Sequence, residues 1–523
     1  MSISMSESLR AATSVAGSLF LCGLLVVAGY RVLLHPLHGY PGPLLAKLTA
    51  WYAGFHAVRK RLHLEVADNH KKYGSVVRLA PDRLVFNTVT AFRSIYQSDQ
   101  VIKSYTYQST SKDFKPNLLT ERDRDAHRAK RQLIGQALSD RSLRAFAPTM
   151  LQQIDTYLGQ ILANPQAVNM TEKTRQLALD IVGRLAFGYD LKMQTQPDNR
   201  FVIKAMGTSH YRFNIYHHLY FLSRIEPTRL LNYLQHEARE KYWRLLQTMI
   251  KTRMGQDRKA QADLYSFIAD ALDAQPDTLN SGAMWTEAVF FMAAGGDTVA
   301  TLMCAAFFYL SRNRGAYKKL ADEIRSTFSS GRDIQAGPQL AGCAYLRACL
   351  EESLRMSPPV ASILWREQDP RDSRPFAVDG CVIPRGTLVA VSLYALHHNE
   401  AYFPDPYVFR PERWLSVPGN EEACRKAHDA LAAFSTGPRG CGGKSMAYLE
   451  SSLVLAKTIY YFDFEPAAGA LGEMGAGRPG ARDGRHRPGE FQIYDVFTAR
   501  HDGPCLTFHP RGDLCKKDLE ASG

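Results

Sequence analysis

Phe434-Ser435-Thr436-Gly437-Pro438-Arg439-Gly440-Cys441-Gly442-Gly443 is the stretch from which the rest of the chain is read. Its glycines let the backbone close on a single cysteine, so that amide N–H groups can reach the Cys441 sulfur and temper its charge. Taken alone, the loop is also compatible with an ordinary Gly-rich turn around a buried thiol. The other cysteines offer Cys441 no framework: the chain has nine, an odd number without CxxC spacing. Neither a disulfide scaffold nor a structural zinc site is expected, and the set reads as reduced thiols facing a cytosol-like compartment.

Three further groups lie upstream. Glu352-Ser353-Leu354-Arg355 puts an acid and a base three residues apart, followed downstream by Phe409-Arg410-Pro411-Glu412-Arg413-Trp414. Such a helical pair is commonplace and proves nothing alone. Ala294-Gly295-Gly296-Asp297-Thr298 interrupts an apolar run over residues 288–310. A charge and two glycines are costly in an isolated membrane span, which favours a long buried helix through a soluble core. His127-Arg128-Ala129-Lys130-Arg131 places His127 and Arg131 on one helix face.

Together these groups resemble the cytochrome P450 family, and the likeness runs from the N-terminal apolar segment to about Phe508. The resemblance implies that Cys441 is the thiolate ligand of a haem b iron. Such a ligand pushes electron density onto the metal and promotes O–O cleavage. Phe434 and Gly443 would belong to the ligand loop, and Arg439, His127, Arg131 and Arg366 would meet the haem propionates, carboxylates suited to bidentate guanidinium pairing. Glu352, Arg355 and Arg413 would form the family's buried triad. Asp297 and Thr298 would be the acid and alcohol that organise proton delivery, with Gly295 and Gly296 thinning the helix so that O₂ fits beside the iron.

The fold expected is mainly α with a minor β region. Helical spacing dominates residues 140–350, and short strand-like runs fall at 76–79, 83–86, 388–391 and near the C-terminus. Strands from both ends of the chain favour one large catalytic domain, expected over 51–511. Residues 11–30 carry no charge and are long enough for a transmembrane helix, with 1–10 as a short lumenal segment; the alternative is a cleaved signal peptide, whose apolar region is usually only about 7 to 15 residues. Arg31, Lys47, Arg59, Lys60 and Arg61 outweigh Arg10, which places the bulk of the protein on the cytoplasmic side. The Pro-rich stretch within 31–50 would stop that helix and form a stiff hinge. Residues 472–490 read as a mobile surface loop, and 512–523 as a polar tail.

Net charge is +13, which suits an anionic membrane or an acidic protein; without zinc-finger spacing, an aromatic RNA-binding signature or a long basic block, nucleic acid is not expected. No dinucleotide-binding glycine motif is present, so electrons must come from outside. The family resemblance implies O₂ as co-substrate, NADPH through a separate reductase, a monomer, a single-pass location in the endoplasmic reticulum membrane and a place in fungal secondary metabolism. Arg128, Lys130 and Lys444 are candidate docking cations for the reductase. Residues 105–119, 210–221, 361–364 and 497–498 are expected to line a pocket for a lipophilic small molecule, with Ala361 and Ser362 leaving room above the haem. Two alternatives stand beside the monooxygenase: a haem-thiolate isomerase or dehydratase working without O₂, and a non-catalytic haem sensor.

Overall fold

In the computed structural model, residues 5–109, 115–164, 166–225, 236–257, 263–266, 281–512 and 518 are described. Parts of the expected pocket segment 105–119 and of the tail 512–523 lie outside them. The first helix, α1 (Met5–Gly29), continues through a π turn over Tyr30–Leu34 and stops just before Pro36. Its apolar stretch Leu9–Leu34 has none of its surface buried, which makes it a candidate membrane anchor. The Pro-rich segment that follows is tied to the body: Arg31 donates to the Leu48 carbonyl at 2.6 Å, and Arg78 donates to the Arg31 carbonyl at 2.9 Å.

The body is built of helices whose ends obey local chemistry. The Asp123 carboxylate caps α2 (Arg124–Ala137) by accepting from the amides of Asp125 and Ala126. Asn169 caps α3 (Met170–Phe187), and Gly188, at φ 57°, ends it in the left-handed region. The helix α4 (Phe201–His218) reaches the central helix α5 (Ser281–Arg312) through His210, whose Nδ1 lies 3.3 Å from the Asp297 carboxylate. This α5 is apolar all round because it is a core helix: Val299 to Leu310 is buried almost throughout. Against it pack α3, α6 (Ala344–Met356) and α7 (Lys444–Tyr461).

The β part is small and sets one wall of the site. Strands β1 (Val76–Ala80), β2 (Arg83–Phe86) and β3 (Val101–Lys103) come early; β4 (Val168–Asn169) pairs elsewhere; β5 (Arg366–Gln368) and β6 (Leu388–Val391) return late. Their five-stranded sheet runs β1-β2-β6-β5-β3. The β2 and β6 pairing is parallel, Arg83 opposite Leu388, whereas β3 and β5 are antiparallel with Lys103 opposite Arg366. In the second sheet β8 (Cys505–Pro510) lies between β4 and β7 (Phe462–Pro466).

The stretch 472–490 is irregular and lies mostly at the surface, as expected, but it is anchored: Arg485 is buried and donates to the Ile493 carbonyl at 2.9 Å, and buried Glu490 accepts from the Tyr394 hydroxyl. Sequence composition registered its glycines and prolines but not these two anchors.

Candidate functional site

A cavity of about 950 Å³ opens between α5, α2, α4 and the Cys441 loop. Cys441 faces it from one side; Ala294, Gly295 and Thr298 face it from α5. Within the loop, the Cys441 amide donates to the Phe434 carbonyl at 2.8 Å, and Gly437 sits at φ 70°. A Cβ on Gly437 would lie 2.2 Å from the Tyr96 carbonyl oxygen, so only glycine fits. Phe434 packs tilted against Tyr448, their centroids 5.1 Å apart. What exposure Cys441 has is to the cavity, and its packed surroundings push the thiol up; the Gly443 amide and the charges of Arg131 and Lys444 oppose that. The space a side chain on Gly442 would need is taken by the Arg131 guanidinium, 2.6 Å from the would-be Cβ.

The cations expected at the propionates converge. His127, Arg131, Arg366 and Arg439 all line the cavity. Arg131 donates to the Cys441 carbonyl at 3.2 Å, Arg366 to the Tyr107 hydroxyl at 3.2 Å, and Arg439 to the carbonyls of Glu121 and Arg122 at 3.0 Å each. A fifth, Lys103, was missed in the sequence: it is 4% exposed, lines the same wall and stands opposite Arg366 across β3 and β5. Like charges facing each other on neighbouring strands oppose one another. Burial, with Arg366 and Arg439 close by, holds the Lys103 amine well below its ordinary range. Burial and the same cations, Lys103 first, push His127 down to about 2. Arg439 falls to about 10, by burial and then Arg366. Glu237 is the only acid on the cavity wall among the described residues. This is a cradle short of negative charge, and the haem expected from the sequence fits it: two propionates would meet the cations while Cys441 reached the iron.

Behind the loop, Glu352, Arg355 and Arg413 come together as expected. The Glu352 carboxylate, with no exposure, takes Arg355 Nε and Nη2 at 2.8 Å each, Arg413 Nε at 3.0 Å and Trp414 Nε1 at 2.9 Å. Burial would raise this carboxyl; Arg355 and Arg413 outweigh it and hold it low. Trp414 is a fourth member that the sequence did not single out.

The α5 motif is arranged differently from expectation. A Cβ on Gly295 would lie 2.7 Å from Val182 Cγ2, and one on Gly296 would lie 2.5 Å from Leu179 Cδ2. The missing side chains are therefore filled by α3, and the glycines serve close helix packing, although Gly295 also borders the cavity. Thr298 faces the cavity with its hydroxyl donating to the Ala294 carbonyl at 2.6 Å, the usual habit of a helical threonine. Asp297 points elsewhere. Its carboxylate meets Arg175 Nε at 3.4 Å and His210 Nδ1 at 3.3 Å. Burial would raise it; the His210 contact and Arg175 hold it below the ordinary value.

Pocket expectations are met in part. Tyr107, Leu119, His210, Phe213, Tyr216, Leu364, Phe497 and Thr498 line the cavity. Ala361 and Ser362 do not: both have no exposure, and Ser362 donates to Asn214. Phe221 turns outward, 40% exposed, against Trp51. Among the docking candidates, Arg128 and Lys444 are exposed, but Lys130 is turned inward onto Glu287 at 3.1 Å and so is not available to a partner.

Comparison with known proteins agrees with this geometry. The family described as Cytochrome P450 matches residues 41–473. Among curated proteins, the chain is 33% identical over 495 residues to "Cytochrome P450 monooxygenase AKT7" of Alternaria alternata, covering 92% of this chain and 94% of the relative. It is 33% identical to "Cytochrome P450 monooxygenase apf7" of Gibberella fujikuroi over 518 residues, covering 93% and 96%. It is 33% identical to "Cytochrome P450 monooxygenase poxM" of Penicillium oxalicum over 502 residues, covering 94% and 93%.

Proposed function

The chain belongs to the cytochrome P450 family and is a monooxygenase, and from that premise we propose that it oxidises a lipophilic small molecule in fungal secondary metabolism, drawing electrons from NADPH through a separate reductase. The observation that carries the residue assignment is one cavity with Cys441 on one side, Thr298 on the other and Lys103, His127, Arg131, Arg366 and Arg439 among the basic side chains of its wall. When bound, the haem supplies oxygen activation, one atom going to the substrate and the other leaving as water. Cys441 would hold the iron as thiolate, the Gly443 amide would temper the sulfur, and Arg131, Arg366, Arg439 and His127 would orient the propionates. Glu352, Arg355 and Arg413 keep the ground beneath the loop rigid. Thr298 offers its hydroxyl oxygen at the cavity wall, where it can order water, and Asp297 supplies the acid behind it.

Apolar walls from Phe213, Phe290, Phe291, Val299 and Leu302 support a lipophilic substrate. Anchoring by the N-terminal helix is consistent with a catalytic body on the cytoplasmic face of the endoplasmic reticulum, and Arg128 and Lys444 offer exposed charge to an acidic reductase face. The isomerase and sensor alternatives are not favoured: a non-catalytic carrier needs no acid and alcohol on α5.

A carbon-monoxide difference spectrum of the reduced protein tests the ligand. The thiolate-type band is expected for the parent and lost in Cys441→Ala; a band that survives the substitution refutes the assignment. Candidate metabolites that convert the haem from low to high spin, then yield an oxygenated product with reductase and NADPH, identify the substrate.

A further inference from the structure

Asp297 and Thr298 are neighbours on a helix, so their side chains point about 100° apart. Thr298 does; Asp297 is held outside it, between Arg175 and His210. A proton leaving Asp297 for the cavity therefore needs a carrier or a movement. His210 and Thr498 both line the cavity, and the Thr498 hydroxyl is in contact with the His210 Nδ1 that also faces the Asp297 carboxylate. One ring nitrogen thus meets both an acceptor and a hydroxyl.

We propose that His210 is a positioning residue for proton delivery, its Nδ1 choosing between the Asp297 carboxylate and the Thr498 hydroxyl. The inference rests on the monooxygenase reading. With a proton on Nδ1, the ring donates to Asp297, which is then pinned from both sides by His210 and Arg175. With Nδ1 bare, the ring accepts from Thr498, and Asp297, with Arg175 the one close partner left of the two, can swing toward the cavity. The other groups facing this cluster are Arg500, whose guanidinium occupies the space beside Gly207, His501 and Tyr242, each electrostatically coupled to Asp297. Acidification favours the pinned arrangement. The ring's proton comes from and returns to water in the cavity, so nothing but protons is exchanged.

The test uses the full-length haem-loaded protein, reduced and carrying carbon monoxide as probe, with the infrared stretch of the bound gas read across the pH range in which histidine titrates, about 5 to 8. The parent is expected to show a pH-dependent shift of the band. His210→Gln, which bonds but does not titrate, should abolish the pH dependence. Thr498→Val removes the competing hydroxyl, so its midpoint should move up by about half a pH unit or more. If the His210 variant loses its haem, the Thr498 variant decides alone. A parent band that ignores pH, a His210→Gln profile like the parent's, or an unmoved Thr498→Val midpoint overturns the proposal. Failure of the underlying monooxygenase reading looks different: the parent would lack the thiolate-type carbon-monoxide band altogether.

Discussion

At the residue scale, Cys441 was legible because its loop is contiguous and every glycine around it has a backbone reason. Lys103 was not, because its meaning depends on Arg366, brought opposite it only by strand pairing. A buried lysine facing an arginine is unfavourable unless an anion joins them, which gives Lys103→Met a two-sided outcome. In the haem-free protein, loss of the 2.7 Å bond to the Leu118 carbonyl costs about 1 kcal/mol, and relief from Arg366 offsets it. The haem-free denaturation midpoint should therefore hardly move. In the loaded protein a charge-assisted hydrogen bond is lost, and haem transfer to an apomyoglobin acceptor should speed by about tenfold, equivalent to about 1.4 kcal/mol. The opposite pattern, a destabilised haem-free protein with unchanged haem loss, would make Lys103 a structural donor only. His210 escaped notice as more than pocket lining for the same reason as Lys103: no spacing in the chain relates it to Asp297.

At the scale of elements, the apolar run with a charge in its middle was readable as a core helix, but the use of its glycines was not. Helix packing is a property of two elements, and nothing near residue 296 in sequence announces Leu179. Substituting alanine gains helix propensity of about 1 kcal/mol but forces a methyl into α3. Val182 is branched at Cβ and cannot turn aside, whereas the obstructing atom at Leu179 ends a flexible side chain. Gly295→Ala should thus cost about 1 to 3 kcal/mol in denaturant titration, more than Gly296→Ala, and Leu179→Ala should rescue the latter. Equal costs, or no rescue, would show that the glycines serve the cavity rather than the packing. The triad between α6 and the 411–414 turn gives a second ranking. Glu352→Ala strands Arg355 without a counter-charge and should cost about 3 to 5 kcal/mol. Trp414→Phe removes one hydrogen bond to the same carboxylate and should cost about 1 to 2 kcal/mol. Denaturant titration of the two haem-free proteins checks the order.

For the whole molecule, helix and strand positions followed from periodicity, while the contacts between distant segments did not, and buried titratable groups belong to that second class. His70 is pushed down to about 4, and His217, His397 and His501 to about 3, in each case chiefly by burial. Their unfolded value is about 6.5, so between roughly pH 6.5 and 4 the unfolded chain binds up to four more protons than the fold at these sites. Stability therefore rises with pH across that window and is lost on acidification. Buried carboxyls act the other way: Glu450 is raised to about 8 and Asp495 to about 7, both by burial first, so the fold holds protons there that the unfolded chain has released. Asp180, raised to about 6, adds a smaller opposing share. Over these seven groups the histidines lead by about one proton near pH 5, roughly 1 to 2 kcal/mol per pH unit, and the two sets cancel near pH 6.5. The urea midpoint should fall clearly from pH 7 to pH 5. One that holds or rises would mean that the carboxyls dominate. Glu450→Gln separates the two sets: glutamine cannot ionise, so the variant should gain on the parent as pH rises from 5 to 8, and its midpoint should climb more steeply over that range. A parallel pair of curves would show that Glu450 is ionised within the fold and has found a partner.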